Sequence, residues 1–214
     1  NTSQPQINAF CRITQRSRMV KFVEKNFLKV RKVIAIDADS FAMHDIPHAG
    51  VIVDVLSPHI ISEQKKEKII SFLSKYIGRK RVLSRFERND WNAHFAETNT
   101  GELLGYCWTL SPRSSAVWHD KFRINPGEGL LVNALVLPEH RGRGVFQLLM
   151  SHALNYLFIY GKCHRVYAIV EKNNKVSMAA FTKLGLRWVM TNVLLKFMGR
   201  NLMSIYWNGK KLSV

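Results

Sequence analysis

Apolar residues recur along the chain in patterns that predict strands and helices in a definite order. Ala93–Thr98 and Leu103–Leu110 are two β-rich runs, and the Asn99–Glu102 segment between them contains the Asn and Gly typical of a hairpin turn. Gly129–Leu137 is a strongly apolar strand that ends at Pro138, because proline has no N–H for the ladder. We therefore expect an antiparallel pair followed by a further core strand.

A helix follows this strand, and its apolar stripe is the clearest in the sequence. The stripe has the spacing of a core-facing helix surface and consists of Phe146, Leu149, Met150, Ala153, Leu154, Leu157 and Phe158. Arg165–Val170 then predicts a strand, and Asn174–Leu184 predicts a second helix capped by Gly185. Strand, helix, strand and helix in succession form a βαβ unit, so we expect a mixed sheet.

The remaining segments are less regular. Leu186–Phe197 and Leu202–Trp207 predict a closing antiparallel hairpin. In the first third of the chain, Arg31–Asp37 predicts a strand and Glu63–Tyr76 a helix. Residues 111–129 contain prolines, glycines and polar residues without sustained periodicity, which predicts a long loop of the kind that often carries function.

The composition indicates one folded domain with an anionic partner. The chain has 214 residues, 47% of them hydrophobic, and we find no repeat or linker-like segment. Lys and Arg total 32 against 15 Asp and Glu, which gives a formal net charge of +17. Four partners suit this excess: an anionic cofactor such as a nucleotide, a nucleic acid, a membrane surface or an acidic substrate.

The cysteines and the hydropathy bear on the compartment. Cys11, Cys107 and Cys163 have neither metal-ligand nor disulfide-framework spacing, so we expect reduced, structural thiols and no metal site. No apolar stretch reaches the about 18 residues that span a bilayer. Residue 1 is Asn rather than Met, which leaves a cleaved signal or a missing start open. Reduced thiols and a nucleotide cofactor favour the cytoplasm.

The segment Pro138–Phe146 lies between a predicted strand and a predicted helix and has the chemistry of an anion cradle. Gly142 and Gly144 allow the backbone to approach a ligand closely, and the N–H groups at a helix N-terminus favour an anion. Arg141 and Arg143 add positive charge. A basic surface turn with two glycines is the alternative. The P-loop and dinucleotide fingerprints are absent, which disfavours both common nucleotide folds.

This turn and a second motif resemble the GNAT superfamily of acyl-CoA N-acyltransferases. The family's pyrophosphate loop has the pattern Arg/Gln-x-x-Gly-x-Gly/Ala after a Val-x-Pro strand end, and it is matched by Val136, Pro138, Arg141 and Gly144. The family's Asn-x-x-Ala/Ser…Tyr-x-Lys-Leu-Gly-Phe segment is paralleled by Asn174, Ser177, Phe181, Lys183, Leu184 and Gly185. The two motifs occur in the right order, and the resemblance covers about residues 91–200 well.

The resemblance implies an α/β (α+β) fold, the GNAT fold, with a central mixed, mostly antiparallel sheet of about seven strands and helices on both faces. Residues 1–214 would form a single domain. Within it, residues 75–214 would be the acyl-CoA-binding core and residues 1–74 a divergent N-terminal part.

The resemblance also implies the co-substrate, acetyl-CoA or another acyl-CoA, without a metal. The cofactor would enter between the strand ending at Val136 and the strand starting at Arg165, and Asn174 would contact the pantetheine arm or cap its helix. The pantetheine amides would pair with Ala134, Leu135 and Val136, and the pyrophosphate would lie over Gly142–Phe146. The set is Ala134, Leu135, Val136, Arg141, Gly142, Arg143, Gly144, Val145, Phe146, Asn174, Ser177 and Phe181.

Two positions depart from the family pattern. Phe146 replaces a Gly or Ala, so its side chain must point into the core. Phe181 replaces a Tyr that in many members protonates the departing thiolate. A thiol with a pKa of roughly 8.5 is a tolerable leaving group, so water or another donor suffices. Phe181 is equally suited to a plain core position.

A general base is harder to assign. Asn133 stands on the central strand where the family often has Asp or Glu, and Ile169 holds the corresponding position on the next strand. Alternation along the strand places Glu171 on the face of Ile169 and Tyr167, so Glu171 is the first candidate base. It also suits a solvated strand end. Further candidates in or near the long loop are His119, Asp120 and Glu128. An amine that arrives neutral needs no base.

Three functions remain open at this point. The first is transfer of an acetyl or other acyl group from CoA to an amine on a small-molecule or carrier-linked acceptor, for which the charge favours an anionic acceptor. The second is long-chain N-acyl transfer from an acidic acyl carrier protein or acyl-CoA. The third is a basic module on the same fold that binds nucleic acid or a membrane surface, although no nucleic-acid motif supports it.

Overall fold

The structure is a computed structural model that describes residues 28–42, 50–56, 63–197, 200–207 and 212–213. Cys11 lies outside these residues. The strands are β1 Leu28–Asp37, β2 Val51–Leu56, β3 Trp91–Thr98, β4 Leu103–Leu110, β5 Val117–His119, β6 Phe122–Ile124, β7 Glu128–Val136, β8 Arg165–Glu171, β9 Arg187–Phe197, β10 Arg200–Trp207 and β11 Leu212–Ser213. The helices are α1 Glu63–Ile77, α2 Arg79–Phe86, α3 Val145–Ile159 and α4 Lys175–Lys183, with 3₁₀ turns at Ala38–Ser40 and Pro138–His140.

Nine strands form one sheet in the order β11-β10-β9-β1-β8-β7-β4-β3-β2, and β5 and β6 form a separate ribbon. β7 and β8 run parallel, whereas the other neighbouring pairs in the described sheet are antiparallel. The predicted mixed, mostly antiparallel sheet is confirmed, with more strands than expected. β1 extends the predicted strand Arg31–Asp37 and lies between β8 and β9. The first third of the chain therefore contributes an interior strand.

Each face of the sheet carries its own hydrophobic core. On one face, α3 and α4 pack through residues such as Leu154 and Phe181. On the other face, α1 and α2 pack through residues such as Leu73 and Val82. The predicted stripe of α3 is confirmed, with five members fully buried and two at the margin of the core: Leu149, Met150, Ala153, Leu154 and Leu157, and then Phe146 and Phe158.

A buried polar network fixes α3 against β3 and β4. His94 on β3 places Nε2 3.0 Å from Oγ1 of Thr109 and Nδ1 3.3 Å from Nδ1 of His152 on α3. Tyr156, also on α3, donates its hydroxyl to Oδ1 of Asn92 at 3.1 Å. Burial lowers the pKa of His94 well below its ordinary range, so the ring is neutral and offers one donor and one acceptor. These bonds set the rotation of α3, and hence the direction of the loop before it.

The segment 111–129, predicted as a loop throughout, contains the β5–β6 ribbon. His119 pairs with Phe122, and the two residues between them, Asp120 and Lys121, have φ of 49° and 67°. Positive φ at both central positions is the geometry of a type I′ turn, which usually carries Gly or Asn. The loop prediction was wrong because this turn has neither residue and its strands are very short.

Two elements in the first 90 residues, β2 and α2, were not predicted. Only Val82 and Arg85 are buried on α2, so the helix offers almost no apolar periodicity. β2 has six residues, and its burial does not alternate regularly. None of the helices in the described ranges combines the length and apolar character required to cross a bilayer.

His119, at the end of β5, is half-buried. Its ring lies against Trp91, with centroids 5.5 Å apart. Burial lowers the pKa of His119 to about 4, although Asp120 acts in the opposite direction. Three neighbouring cations add to the lowering: Arg31, Arg81 and Arg85. His119 is therefore neutral in the folded protein at neutral pH.

This burial predicts a loss of stability in mild acid. The unfolded chain protonates His119 near its ordinary pKa of 6.5, whereas the folded chain does so only near 4. The contribution of His119 to the free energy of unfolding is therefore fully present above pH 6.5. It falls by on the order of 2–3 kcal/mol as the pH drops toward 4. His119→Gln should flatten the dependence of unfolding free energy on pH in urea titrations. The exposed His164→Gln control should keep the wild-type slope, and an unchanged slope in His119→Gln would contradict the account.

Candidate functional site

The parallel strands β7 and β8 are joined at one end and separated at the other. Their ladder runs from the Glu128–Arg165 pair to the Leu131–Ala168 pair and then stops. From residue 132 to 136, no strand of the described part of the chain pairs with this edge of β7. The opening predicted between the end of β7 and β8 is therefore present, and it exposes backbone N–H and C=O groups that a ligand can use.

A β-bulge in β7 lies at the start of this opening. β4 pairs Trp108 with Val132 and Tyr106 with Leu135, so Asn133 and Ala134 together oppose a single residue of β4. Asn133 has φ of 51°, in the left-handed region that asparagine tolerates better than most residues. Asn133 and Ala134 are both exposed. The bulge thus turns two residues of a core strand outward.

β4 approaches the end of β7 unusually closely at Gly105. A Cβ at this position would lie 2.6 Å from the carbonyl oxygen of Leu135 and 3.2 Å from Cα of Val136. Only glycine permits this contact, which holds the last residues of β7 beside β4 while their other edge stays open.

The glycine-containing turn follows directly and leads into α3. Arg141 donates Nε to the carbonyl oxygen of Val136 at 3.1 Å, which ties the turn to the end of β7. Gly142 and Gly144 have φ of 77° and 78°. The N–H of Leu148 binds the carbonyl of Gly144 at 3.1 Å, so the N–H groups of the three residues before it form the open N-terminus of α3. The sequence-predicted residues 141–146 are therefore brought together beside the opening.

The two residues that depart from the family pattern contact each other. The rings of Phe146 and Phe181 lie edge to face with centroids 5.4 Å apart, and Phe181 is 5% exposed. Phe146 points into the core as expected. Phe181 is a core residue at this place and carries no proton donor. Both rings join α3 to α4.

Asn174 caps α4. Its Oδ1 accepts the backbone N–H of Ser177 at 3.1 Å, which is the capping role that its residue type suits. Asn174 is exposed and Ser177 is half-buried. The cofactor contact expected for Asn174 remains a prediction, and the cap does not compete with it, because the side-chain amide nitrogen is not used by the cap.

The candidate base Glu171 lies at the end of β8, where the ladder with β7 has already stopped. It is exposed, and its carboxylate forms an ion pair with Lys29 of β1. Alternation from Tyr167 and Ile169 puts it on the sheet face that carries α1 and α2. The carboxylate is therefore close to the opening but already has a cationic partner.

The other candidate bases are held by structural contacts. Glu128 accepts the hydroxyl of Tyr167 at 3.1 Å and the backbone N–H of Asn125 at 2.8 Å. Asp120 lies 3.1 Å from Nη1 of Arg31. His119 has a pKa of about 4 because it is buried, which is far from the value near neutrality that suits a general base. No group of three or more potential metal ligands occurs in the described ranges.

Arg85 on α2 is the site residue that the sequence analysis missed. Its guanidinium lies 4.3 Å from the ring centroid of Trp91 and 5.0 Å from that of Trp108, and the residue is 5% exposed. Nη2 donates to Oδ1 of Asn133 at 2.7 Å. Burial lowers the pKa of Arg85 to about 10, so the group stays charged at neutral pH. In the sequence, its only indication is its position three residues after Val82, which places both residues on one face of a helix.

The comparisons with known proteins agree with this geometry. The family model described as the acetyltransferase (GNAT) family matches residues 62–186. No curated protein sequence matches the chain significantly.

Solved structures show the same fold at low sequence identity. A GCN5-related N-acetyltransferase from Kribbella flavida has a TM-score of 0.54 and 14% identity, covering 78% of this chain and 58% of its own. A GCN5-related N-acetyltransferase from Sphaerobacter thermophilus has a TM-score of 0.56 and 15% identity, and the match covers 87% of this chain and 58% of that one. The GCN5-related glucosamine N-acetyltransferase region of a fungal multi-domain GH3 β-N-acetylglucosaminidase has a TM-score of 0.60 and 16% identity, covering 86% and 23%.

The chain thus spans 58% of the length of the first two structures. Its open β7 edge and the glycine-containing turn both lie within the residues that the family model matches. The chain belongs to the GNAT acetyltransferase family.

Proposed function

We propose that this chain transfers an acyl group, acetyl in the first instance, from CoA to the primary amine of an acceptor. The observation that carries the proposal is the unpaired edge of β7 from residue 132 to 136, which leads directly into the glycine-containing turn at the start of α3. An extended ligand arm with amide groups and an anionic end matches this arrangement along its whole length. Acyl-CoA has both features.

The donor would bind in two parts. The pantetheine amides would pair with the backbone of Ala134 and Val136, as an added strand would. The pyrophosphate would lie over Gly142–Phe146, where the N-terminus of α3 and its dipole favour an anion. Gly142 has no atom within 4 Å of the place where a Cβ would stand, so the turn is open to a ligand.

The reaction then needs little covalent chemistry from the protein. The amine nitrogen attacks the thioester carbonyl carbon, an N–C bond forms, the C–S bond breaks, and CoA leaves as a thiolate. The attacking nitrogen loses one proton and the thiolate gains one. Because Phe181 has no hydroxyl, we assign protonation of the thiolate to water, and positioning of the two substrates supplies most of the acceleration.

Glu171 is the residue that we propose to take the proton of the amine. It stands at the end of β8, beyond the last pair with β7, and is exposed to an incoming acceptor. Lys29 already forms an ion pair with this carboxylate and would have to share it with the amine. We further propose a cytoplasmic location, which is supported by the free, buried thiols of Cys107 and Cys163.

The donor site is tested by Gly142→Glu. A carboxylate placed in the turn repels the pyrophosphate, so the thermal shift caused by acetyl-CoA should disappear and the Kd should rise at least about 100-fold. Gly78→Glu is the matched control, because Gly78 also has a positive φ and open space around it but lies between α1 and α2. It should keep the full shift. An equal shift in the wild type and in Gly142→Glu would place the cofactor elsewhere.

The same assay identifies the donor. Acetyl-CoA, longer acyl-CoAs and acyl carrier protein are compared by thermal shift and then by competition. Tightest binding of acetyl-CoA supports the proposal. Tighter binding of a long-chain or carrier-bound donor would show that the transferred acyl group is not acetyl. No shift with any CoA, together with steep salt-dependent binding of nucleic acid or anionic vesicles, would overturn it.

The base is tested by Glu171→Gln. The amide cannot accept a proton, so kcat for thiol release should fall by about 10² or more at neutral pH while binding of acetyl-CoA stays unchanged. The loss should shrink as the pH rises, because more of the amine then arrives neutral. Exposed Glu87→Gln is the control. Wild-type kcat in Glu171→Gln at neutral pH would remove Glu171 from the mechanism.

A further inference from the structure

A buried cation without an ionic partner lies beside the bulge in β7. Arg85 is 5% exposed, and no carboxylate of the described residues lies within ion-pair distance of it. Its guanidinium lies against the rings of Trp91 and Trp108, and its Nη1 is buried without a hydrogen-bond acceptor in the part of the chain that the structure describes. Arg85 therefore reaches a ligand through its positive charge and through its hydrogen bond to Asn133.

Asn133 connects this cation to the opening between β7 and β8. Because arginine only donates hydrogen bonds, the atom of Asn133 that faces Nη2 of Arg85 must be its amide oxygen. The amide NH₂ group of Asn133 is therefore turned away from Arg85. Asn133 is exposed, and within the described ranges its NH₂ group has no protein partner. The side chain thus turns its hydrogen-bond donors toward a ligand.

The charges around this pair are also unbalanced toward the positive. Asp120 is the acidic group that acts on Arg85, and it is already paired with Nη1 of Arg31 at 3.1 Å. Arg81, one turn before Arg85 on α2, is exposed and adds a further positive charge. A neutral His119 completes the group. An anion that enters beside Asn133 meets two amide donors with an arginine behind them in a region of low dielectric constant.

From this arrangement we infer that the acceptor is an amine that also carries a carboxylate, such as an amino acid, and that Asn133 binds the carboxylate with the charge of Arg85 behind it. The inference rests on the proposed acyl transfer and adds the class of its acceptor. The amide NH₂ group of Asn133 donates to the carboxylate, and the buried guanidinium that holds Asn133 stabilises the negative charge.

The placement also suits the reaction. Asn133 directly precedes Ala134, where the pantetheine arm is proposed to begin its pairing with β7. In an α-amino acid the amine nitrogen is two bonds from the carboxylate carbon, so a carboxylate held at Asn133 keeps the amine close to Ala134. The positive charges of Arg81 and Arg85 disfavour an ammonium ion nearby, so the bound amine gives up its proton to Glu171 more readily.

The decisive variant is Asn133→Asp. Aspartate has the same size, tolerates positive φ and still accepts the hydrogen bond from Arg85, so the fold is preserved. It removes the amide donors and neutralises Arg85. Arg79→Gln is the control, because it lowers the net charge by the same one unit, but at an exposed residue of α2 that is paired with Glu67.

The experiment measures thiol release from acetyl-CoA with each of the twenty amino acids, each amino-acid carboxamide and O-phosphoethanolamine. The wild type should use at least one amino acid with kcat/KM about 10–100-fold above that of its carboxamide, since a hydrogen bond to a charged group contributes about 1.5–3 kcal/mol. Asn133→Asp should lose this preference through a rise in KM for the amino acid, whereas Arg79→Gln should keep it. Arg85→Gln should behave as Asn133→Asp does.

Several results would overturn the inference without touching the proposed function. These are equal or better use of carboxamides, preference for O-phosphoethanolamine, and an unchanged KM in Asn133→Asp. Binding of amino acids to CoA-saturated protein by calorimetry provides a readout that does not need turnover, and absence of binding for all twenty overturns it too. Failure of acyl-CoA to bind would instead count against the proposed function.

Discussion

The separation of β7 from β8 after the Leu131–Ala168 pair is the constraint on which the rest of the site depends. Two parallel strands can part only if something other than their ladder holds each of them. β7 is held by β4, through the close approach at Gly105 and the pairing on either side of the bulge. β8 is held by β1, which pairs with it along its whole length. The opening is therefore a fixed part of the sheet, with pairing satisfied on its outer sides.

The two faces of the sheet contribute different groups to this opening. On one face, the network of His94, His152 and Tyr156 fixes α3, and the turn before α3 presents its N–H groups at the end of β7. On the other face, α2 and the β5–β6 ribbon gather the arginines around Asn133. In the proposed function, the donor and the acceptor would therefore approach the bulge from different sides.

Features set by local sequence were predicted well, and features set by register were not. The turn at 138–146 and the stripe of α3 depend on neighbours in the chain, so glycine positions and spacing sufficed. The type I′ turn at Asp120 and Lys121 has no glycine to mark it. The importance of Arg85 and the left-handed conformation of Asn133 follow from pairing between β4 and β7 and from packing of α2, which a single sequence does not specify. Placement of β1 beside β8 joins residues 128 to 140 positions apart, and no local pattern predicts it.

We propose that acyl-CoA lies along the open edge of β7 with its pyrophosphate at the start of α3. Amide hydrogen exchange with and without acetyl-CoA tests this placement, because it reports on the backbone groups that the ligand would use. Bound acetyl-CoA should slow exchange in peptides that cover residues 132–136 and 142–147, with little change in β2 and β3. Unchanged exchange in both of these segments at saturating acetyl-CoA, or protection confined to other parts of the chain, would contradict it.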